Sequence, residues 1–176
     1  MKLSVETVKN IAEEIDTLSQ ESTAYLNRNT GEVYVMIEEY FLDEDKSEDP
    51  DVLAGIPDWQ KEDIAKHKTV LNDSAWISLP NAFDIHEWKL MERFSNQIKN
   101  QEVQEDLLRS IHGSGAFRLF KRELDHHDLR DEWYAFKKAR IIRLVEDWLR
   151  LQNIEFDEEA DEEAEEEAEE EAEEEA

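Results

Sequence analysis

His126 and His127, set between Asp125 and Asp128, are the side chains that most resemble metal-ligand material, and His86 and His112 are further imidazoles in the chain. Neighbouring side chains diverge on a helix or a strand, and no His-Glu-x-x-His or comparable spacing brings two imidazoles to one ion. They read as a polar turn between helices, with no metal and no cofactor. Cysteine is absent, so nucleophilic catalysis would need a hydroxyl with an oriented histidine. Ser114 beside His112 is the local pair of that kind, but sequence proximity supplies neither a third group nor an oxyanion site. A small hydrolase or metal-dependent enzyme using His112/Ser114 or His126/His127 is therefore the alternative reading. Acid pairs such as Glu38-Glu39 arise by composition among 47 acidic residues and sit on no catalytic frame.

The basic residues are distributed more informatively. Gly113, Ser114 and Gly115 break the chain ahead of a short amphipathic helix. At 100° per residue Phe117, Phe120 and Leu124 share a buried side, while Arg118, Lys121 and Arg122 form a neighbouring stripe. Free backbone N–H groups before a cationic helix suit an anion, yet no nucleotide-binding glycine run is present. The glycines read as an inter-helix turn permitting close packing, with a glycine after Ile111 closing the preceding helix. Ten of the 20 Lys and Arg residues lie between Arg109 and Arg150 against seven acids, a local charge of +3. Lys137 and Lys138 fall near the apolar arc of the last helix, where lysine stems can cross a core edge. A groove receiving an anion would bring Arg118, Lys121, Arg122, Lys137 and Lys138 together.

These residues need a scaffold, and 176 residues with five Trp and seven Phe suffice for one core of ordinary domain size. The formal charge is -27, but 157–176 hold 15 of the acids and no base, leaving 32 acids against 20 bases and -12 for 1–156. An acidic body disfavours fold-wide attraction to nucleic acid or anionic membrane, so such binding needs a local basic patch. No run approaches the ~18 apolar residues of a membrane span, no apolar leader follows the N-terminus, and a cytoplasmic protein is expected.

A helix is expected over 4–18, capped by Ser4 and burying Val5, Val8, Ile11, Ile15 and Leu18. A hairpin follows, with strands over 23–27 and 32–37 joined by 28–31, and both faces of the second strand covered. Residues 42–51, with six acids, one lysine and a proline, read as an exposed loop. A short strand over 52–56 precedes a helix capped by Asp58 that covers Trp59, Ile64, Ala65, Val70 and Leu71, with its lysines and His67 in water. Residues 75–79 form a further strand. Asp84 and Glu87 have capping-box spacing, with Phe83 and Trp88 as the staple, so a helix starts at Ile85. Another carries Val103, Leu107, Leu108 and Ile111, and Asp128 caps a last one reaching about Gln152. That helix buries Trp133, Tyr134, Ile141, Ile142, Leu144, Val145, Trp148 and Leu149, with Arg140, Arg143, Asp147 and Arg150 opposite and Arg143 able to pair with Asp147. Ile154 and Phe156 tuck the chain back. The repeated Asp/Glu-Glu-Glu-Ala units place glutamates at i and i+4, so the tail is expected to be disordered and solvated.

Gly115-Ala116-Phe117-Arg118-x-Phe120-Lys121, Trp133-Tyr134-x-Phe136-Lys137 and Trp148-Leu149, with Ile154 closing, resemble the bacterial Uncharacterised Protein Family 0158. Tyr25-Leu26-Asn27, Thr30-Gly31-Glu32-Val33, Ile56-Pro57 and Met91-Glu92-x-Phe94 are similar to its N-terminal half. The resemblance covers nearly all of 5–156, with the acidic repeats outside it. Asn27 stands where an aspartate is expected, and the glycine turn holds no cation. The resemblance implies no substrate, cofactor or catalytic residue.

The expected fold is α+β: one domain over 1–156, with a small, mostly antiparallel sheet and helices to about 80, a helical half over 81–156, and a disordered tail over 157–176. The expected function is non-enzymatic binding or regulation. Its surface comprises Gly113, Ser114, Gly115, Arg118, Lys121, Arg122, Lys137 and Lys138, meeting an anionic or protein partner. Nucleic-acid association is a third reading, and no membrane contact is expected.

Overall fold

The computed structural model describes residues 2–19, 21–37, 55 and 57–158, except for the side chains of 37, 58–60 and 82. The loop read over 42–51, the strand read over 52–56 apart from residue 55, and the acidic repeats from 159 onward lie outside the described residues.

Helix α1 (Val5–Thr17) starts where Ser4 Oγ accepts the Thr7 N–H at 3.2 Å, and its three-four spacing buries Val8, Ile11, Ala12 and Ile15. Strands β1 (Ser22–Asn27) and β2 (Val33–Ile37) form the hairpin, and β3 (Trp76–Ser78) pairs on the other side of β1. The three strands are antiparallel in the order β2-β1-β3, with Leu26 opposite both Val33 and Ile77. Period-two alternation covers both faces of this sheet. Ala24, Leu26, Val33, Val35 and Ile77 face the core shared with α1, while Tyr25, Tyr34, Met36 and Trp76 meet Val70 of α2 (Asp58–Asn72).

Helix α2 departs from expectation at its start and on its flank. Pro57 occupies the N-cap position without a side-chain bond, and Asp58 is the first helical residue instead of the cap. Ile64 and Val70 are buried, but Ala65 is exposed and Leu71 is 52% exposed, because residues adjacent to buried ones point 100° away. Lys66 is not simply solvated: its ammonium bonds Glu32 at 2.8 Å and lies 4.7 Å from the Trp76 ring centroid. His67 is half-buried, and burial lowers its pKa.

The second half is helical: α3 (Ala82–Ile85), α4 (Glu87–Gln97), α5 (Gln101–Ser110), α6 (Ala116–His126) and α7 (Arg130–Leu151). Two overlapping capping boxes compete at its entrance, and the earlier one forms. Asn81 Oδ1 accepts the Phe83 N–H at 2.8 Å, and Asp84 Oδ2 accepts the Asn81 N–H at 2.8 Å. Asp84 is thus the third residue of a short turn rather than a cap, and the left-handed His86 (φ 49°) delays the main helix to Glu87. Phe83 stays 65% exposed, so the expected staple does not bury it.

A second correction concerns Asp128. It has φ 57°, and the Leu129 N–H reaches the Leu124 carbonyl at 2.9 Å, closing α6 in a Schellman turn. Asp128 therefore ends one helix instead of capping the next. The same device recurs after α7, where Asn153 has φ 56° and the Ile154 N–H bonds the Leu149 carbonyl at 3.0 Å. The turned chain then reaches the other terminus: Leu3 donates to the Glu155 carbonyl at 2.8 Å and accepts the Asp157 N–H at 2.8 Å.

Helix α7 contributes to two cores. Ile141, Val145 and Leu149 pack with α1 and the sheet, while Trp133 joins Met91, Phe94, Leu107, Phe120 and Leu124. In the second core the Trp133 ring lies 5.0 Å from Phe120 and 5.4 Å from Phe94, both edge-on. Tyr134, expected inside, is 45% exposed. Phe120 is 1% and Phe117 46% exposed, although they sit three residues apart on one helix. Phe120→Ala should therefore cost ~3–5 kcal/mol and Phe117→Ala under ~1 kcal/mol. Urea denaturation of both variants measures this, and equal losses would contradict the packing.

Candidate functional site

The basic surface begins at the turn between α5 and α6. Trp88 of α4 donates its indole N–H to the Ile111 carbonyl at 3.0 Å, satisfying an acceptor at the end of α5. Gly113 and Gly115 follow with φ +87° and +81°, a region that costs other L-residues strain. Close packing is not the reason for Gly113, since an added Cβ would meet nothing within 4 Å. The expectation of a glycine-permitted close approach is corrected accordingly. Arg118 lies over the turn, with Nη2 3.8 Å from where a Gly115 Cβ would stand.

Helix α6 is anchored by Phe120 and Leu124, leaving Phe117, Arg118 and Lys121 exposed. Among the described residues, no carboxylate lies within ion-pair distance of Arg118 or Lys121. Arg122 is also exposed, but its guanidinium bonds Glu123 at 2.7 and 3.2 Å. Ser114 is exposed between the glycines.

Lys137 and Lys138 turn towards α1. The Lys137 ammonium meets Asp16 at 2.7 Å and Glu87 at 3.0 Å, with its side chain only 12% exposed. Burial pulls its pKa down, but the hydrogen bonds to Asp16 and Glu87 outweigh that, and the net shift is upward. Lys138 bonds Glu13 at 2.7 Å, with both side chains more than half exposed. The five cations thus divide into a row on α6 and two lysines engaged by α1. Lys137 lies against packed helices as the periodicity suggested, whereas Lys138 is exposed, and the identity of the helix that supplies their carboxylates left no mark in the periodicity.

The histidines are closer than adjacent residues on a regular element would be, which corrects that expectation. Their ring centroids lie 4.7 Å apart, because His126 ends the helix and His127 takes a non-helical φ of −103°. His127 Nε2 faces Asp106 Oδ2 at 3.5 Å, and Asp106 also accepts from Arg109 at 2.9 Å. Among the described residues no group of three or more His, Asp or Glu is arranged to hold an ion. His112 and Ser114 are both exposed, and no hydrogen bond joins them.

One feature escaped the sequence reading. A cavity of about 220 Å³ lies between α3, α4 and α7 and is lined by Arg93, Arg140 and Arg143 together with Asp84 and Asp147. The expected Arg143–Asp147 pair does not form, since Asp147 accepts Arg150 Nη1 at 2.6 Å. Arg143 Nη1 is buried without a hydrogen-bond acceptor among the described residues. An unsatisfied buried donor of this kind costs on the order of 1–3 kcal/mol, more when charged. Arg140 and Arg143, three apart on one helix, were the visible signal, but Arg93 joins them only through tertiary packing.

Fold and surface together define a small α+β protein with a three-stranded antiparallel sheet, a predominantly helical second half, and an exposed cationic helix. The chain belongs to the Uncharacterised protein family (UPF0158), whose profile matches residues 5–172. The match runs past 156 into the acidic repeats, so the boundary drawn from the motifs was too short. No curated protein and no solved structure gives a significant match.

The Lys137 clamp makes a stability prediction. Its folded pKa is raised, so its contribution is complete below the ordinary lysine value of about 10.4 and is lost as pH rises through the folded value. Lys137→Met should cost about 1.5–3 kcal/mol at neutral pH. The difference from wild type should shrink in strongly alkaline buffer, as followed by urea denaturation at both pH values.

Proposed function

We propose that the protein is a non-enzymatic binding or regulatory module of the bacterial cytoplasm, contacting an acidic protein segment through α6 and the turn before it. The supporting observation is the combination on one helix face of a half-exposed Phe117 with exposed Arg118 and Lys121, neither cation opposed by a carboxylate among the described residues. The opposite face is fixed in the aromatic core, so the contact residues are held on a rigid element. An aromatic anchor flanked by arginine is a common arrangement at binding hot spots. Arg122 lends charge through its exposed guanidinium while sharing Glu123. Lys137 and Lys138 belong to the helix-packing network instead.

For the compartment, a chain without cysteine makes no demand on an oxidising environment, and no helix among the described residues is long and apolar enough to cross a membrane. Duplex nucleic acid is the less favoured partner because the surrounding body is acidic.

The test compares affinity capture from a bacterial lysate by wild type, by Phe117→Ser, and by the double variant Arg118→Glu/Lys121→Glu. A protein retained by wild type and absent from both variants is the expected result, with stabilities altered by about 0.5 kcal/mol or less for the charge changes. Identical retention by all three removes α6 as the contact surface. Retention of DNA that collapses between low and moderate salt would move the partner to nucleic acid.

A further inference from the structure

Most cations of the basic stretch are already committed. Arg109, Arg130, Lys137, Lys138 and Arg150 each have a carboxylate of their own, and Arg122 shares Glu123. Arg118 and Lys121 are exposed, three apart on α6, and have no carboxylate among the described residues. The sequence supplies one segment of matching charge: 159–176 holds 13 acids, five alanines and no base. Three carboxylates in every four residues can meet two cations about one helical turn apart in many registers, so no single alignment is required.

We infer that residues 159–176 dock in cis on the exposed face of α6, with carboxylates at Arg118 and Lys121, and so screen that face from an outside partner. This rests on the α6 contact surface proposed above and adds its regulation. The last described residue has a fixed place: Arg150 Nη2 meets Glu158 at 2.9 Å, and Lys2 Nζ meets Asp157 at 2.5 Å. Phe120 of α6 packs on Trp133, which stands about 26 Å from Arg150 along α7, and crossing to the outer side of α6 adds about 10 Å. Eighteen residues reach up to about 60 Å when extended, so the span is covered with chain to spare. Exposed ion pairs are weak one by one, but tethering presents these acids at an effective concentration on the order of millimolar. The segment has no side chain larger than alanine to cover Phe117. An outside partner that adds an apolar contact there displaces it.

The absence of cysteine allows one nitroxide to be placed at Ala168→Cys in the full-length, ¹⁵N-enriched chain. Amide signals of 116–122 should lose more intensity than those of any other described segment. The loss should disappear in the Arg118→Glu/Lys121→Glu background and in roughly 1 M salt, where screening acts within about 3 Å. Phe117→Ser should leave it unchanged, although the same variant loses the captured partner, so docking of the tail and the contact surface can fail separately. A full-length variant with Glu→Gln and Asp→Asn throughout 159–176 should retain severalfold more of that partner than wild type. Signal loss that is absent, evenly spread or indifferent to the charge reversal overturns the docking, as does equal retention with the neutral tail. So does equal loss when a nitroxide-bearing, unenriched chain is mixed with an unlabelled ¹⁵N chain, since the tail would then sit on a neighbouring copy.

Discussion

The membership of α7 in two cores at once is the constraint on which the rest of the molecule depends. Its 22 residues span about 33 Å. Trp133 near one end is 2% exposed among aromatic side chains of α4 and α6, while Val145 and Leu149 towards the other are fully buried against α1 and the sheet. Neither half closes its hydrophobic face without this helix. Among the described residues the sheet has three strands, and sheets that small need packing partners for stability. Helix α6 likewise owes its fixed orientation to the Phe120–Trp133 contact, which is what makes its exposed face a defined surface.

Charged groups reinforce this arrangement where α7 passes between elements. Lys137 draws together Asp16 near the end of α1 and Glu87 at the start of α4, joining three helices at one ammonium. Glu87 is also favoured by the positive end of its own helix, whereas Asp16 lies near the unfavourable end of α1 and gains more from the lysine. The exposed Lys138–Glu13 pair adds little by comparison, as surface pairs usually do. At the chain ends, the backbone bonds between Leu3 and Glu155 and Asp157 fasten the start of α1 to the segment after α7.

Much of the fold was legible because period and composition encode which faces are apolar. The covered faces of β2, the buried row of α1 and the Phe120/Leu124 anchor all follow from spacing alone. What spacing could not decide was competition between equivalent local signals. Asn81 and Asp84 each head a plausible box, and the outcome depends on a chain reversal at His86 that leaves no periodic trace. Asp128 can cap a helix or end one, and the Leu129–Leu124 bond selects the second. The candidate surface was half legible for a related reason. Arg118 and Lys121 stand free of carboxylates on their own helix, but the fate of Lys137 and Lys138 was written in Glu13 and Asp16, more than 100 residues earlier. Phe117 went astray because apolar type and face were treated as burial, whereas burial also requires a neighbour to cover the residue.

The electrostatics of the chain bear directly on what α6 can recognise. A body carrying -12 over 1–156, with further acid beyond it, repels polyanions at long range, and salt reduces that repulsion beyond roughly 10 Å. Arg118 and Lys121 are therefore local attractors within an unfavourable field. A duplex with dense, extended charge would meet the acidic surroundings as well as the two cations. A short acidic segment bearing an apolar side chain could engage Arg118, Lys121 and Phe117 while leaving the rest of the surface untouched. The same field makes contact depend on close complementarity instead of steering, so affinity would reside mainly in the dissociation rate and in the aromatic anchor.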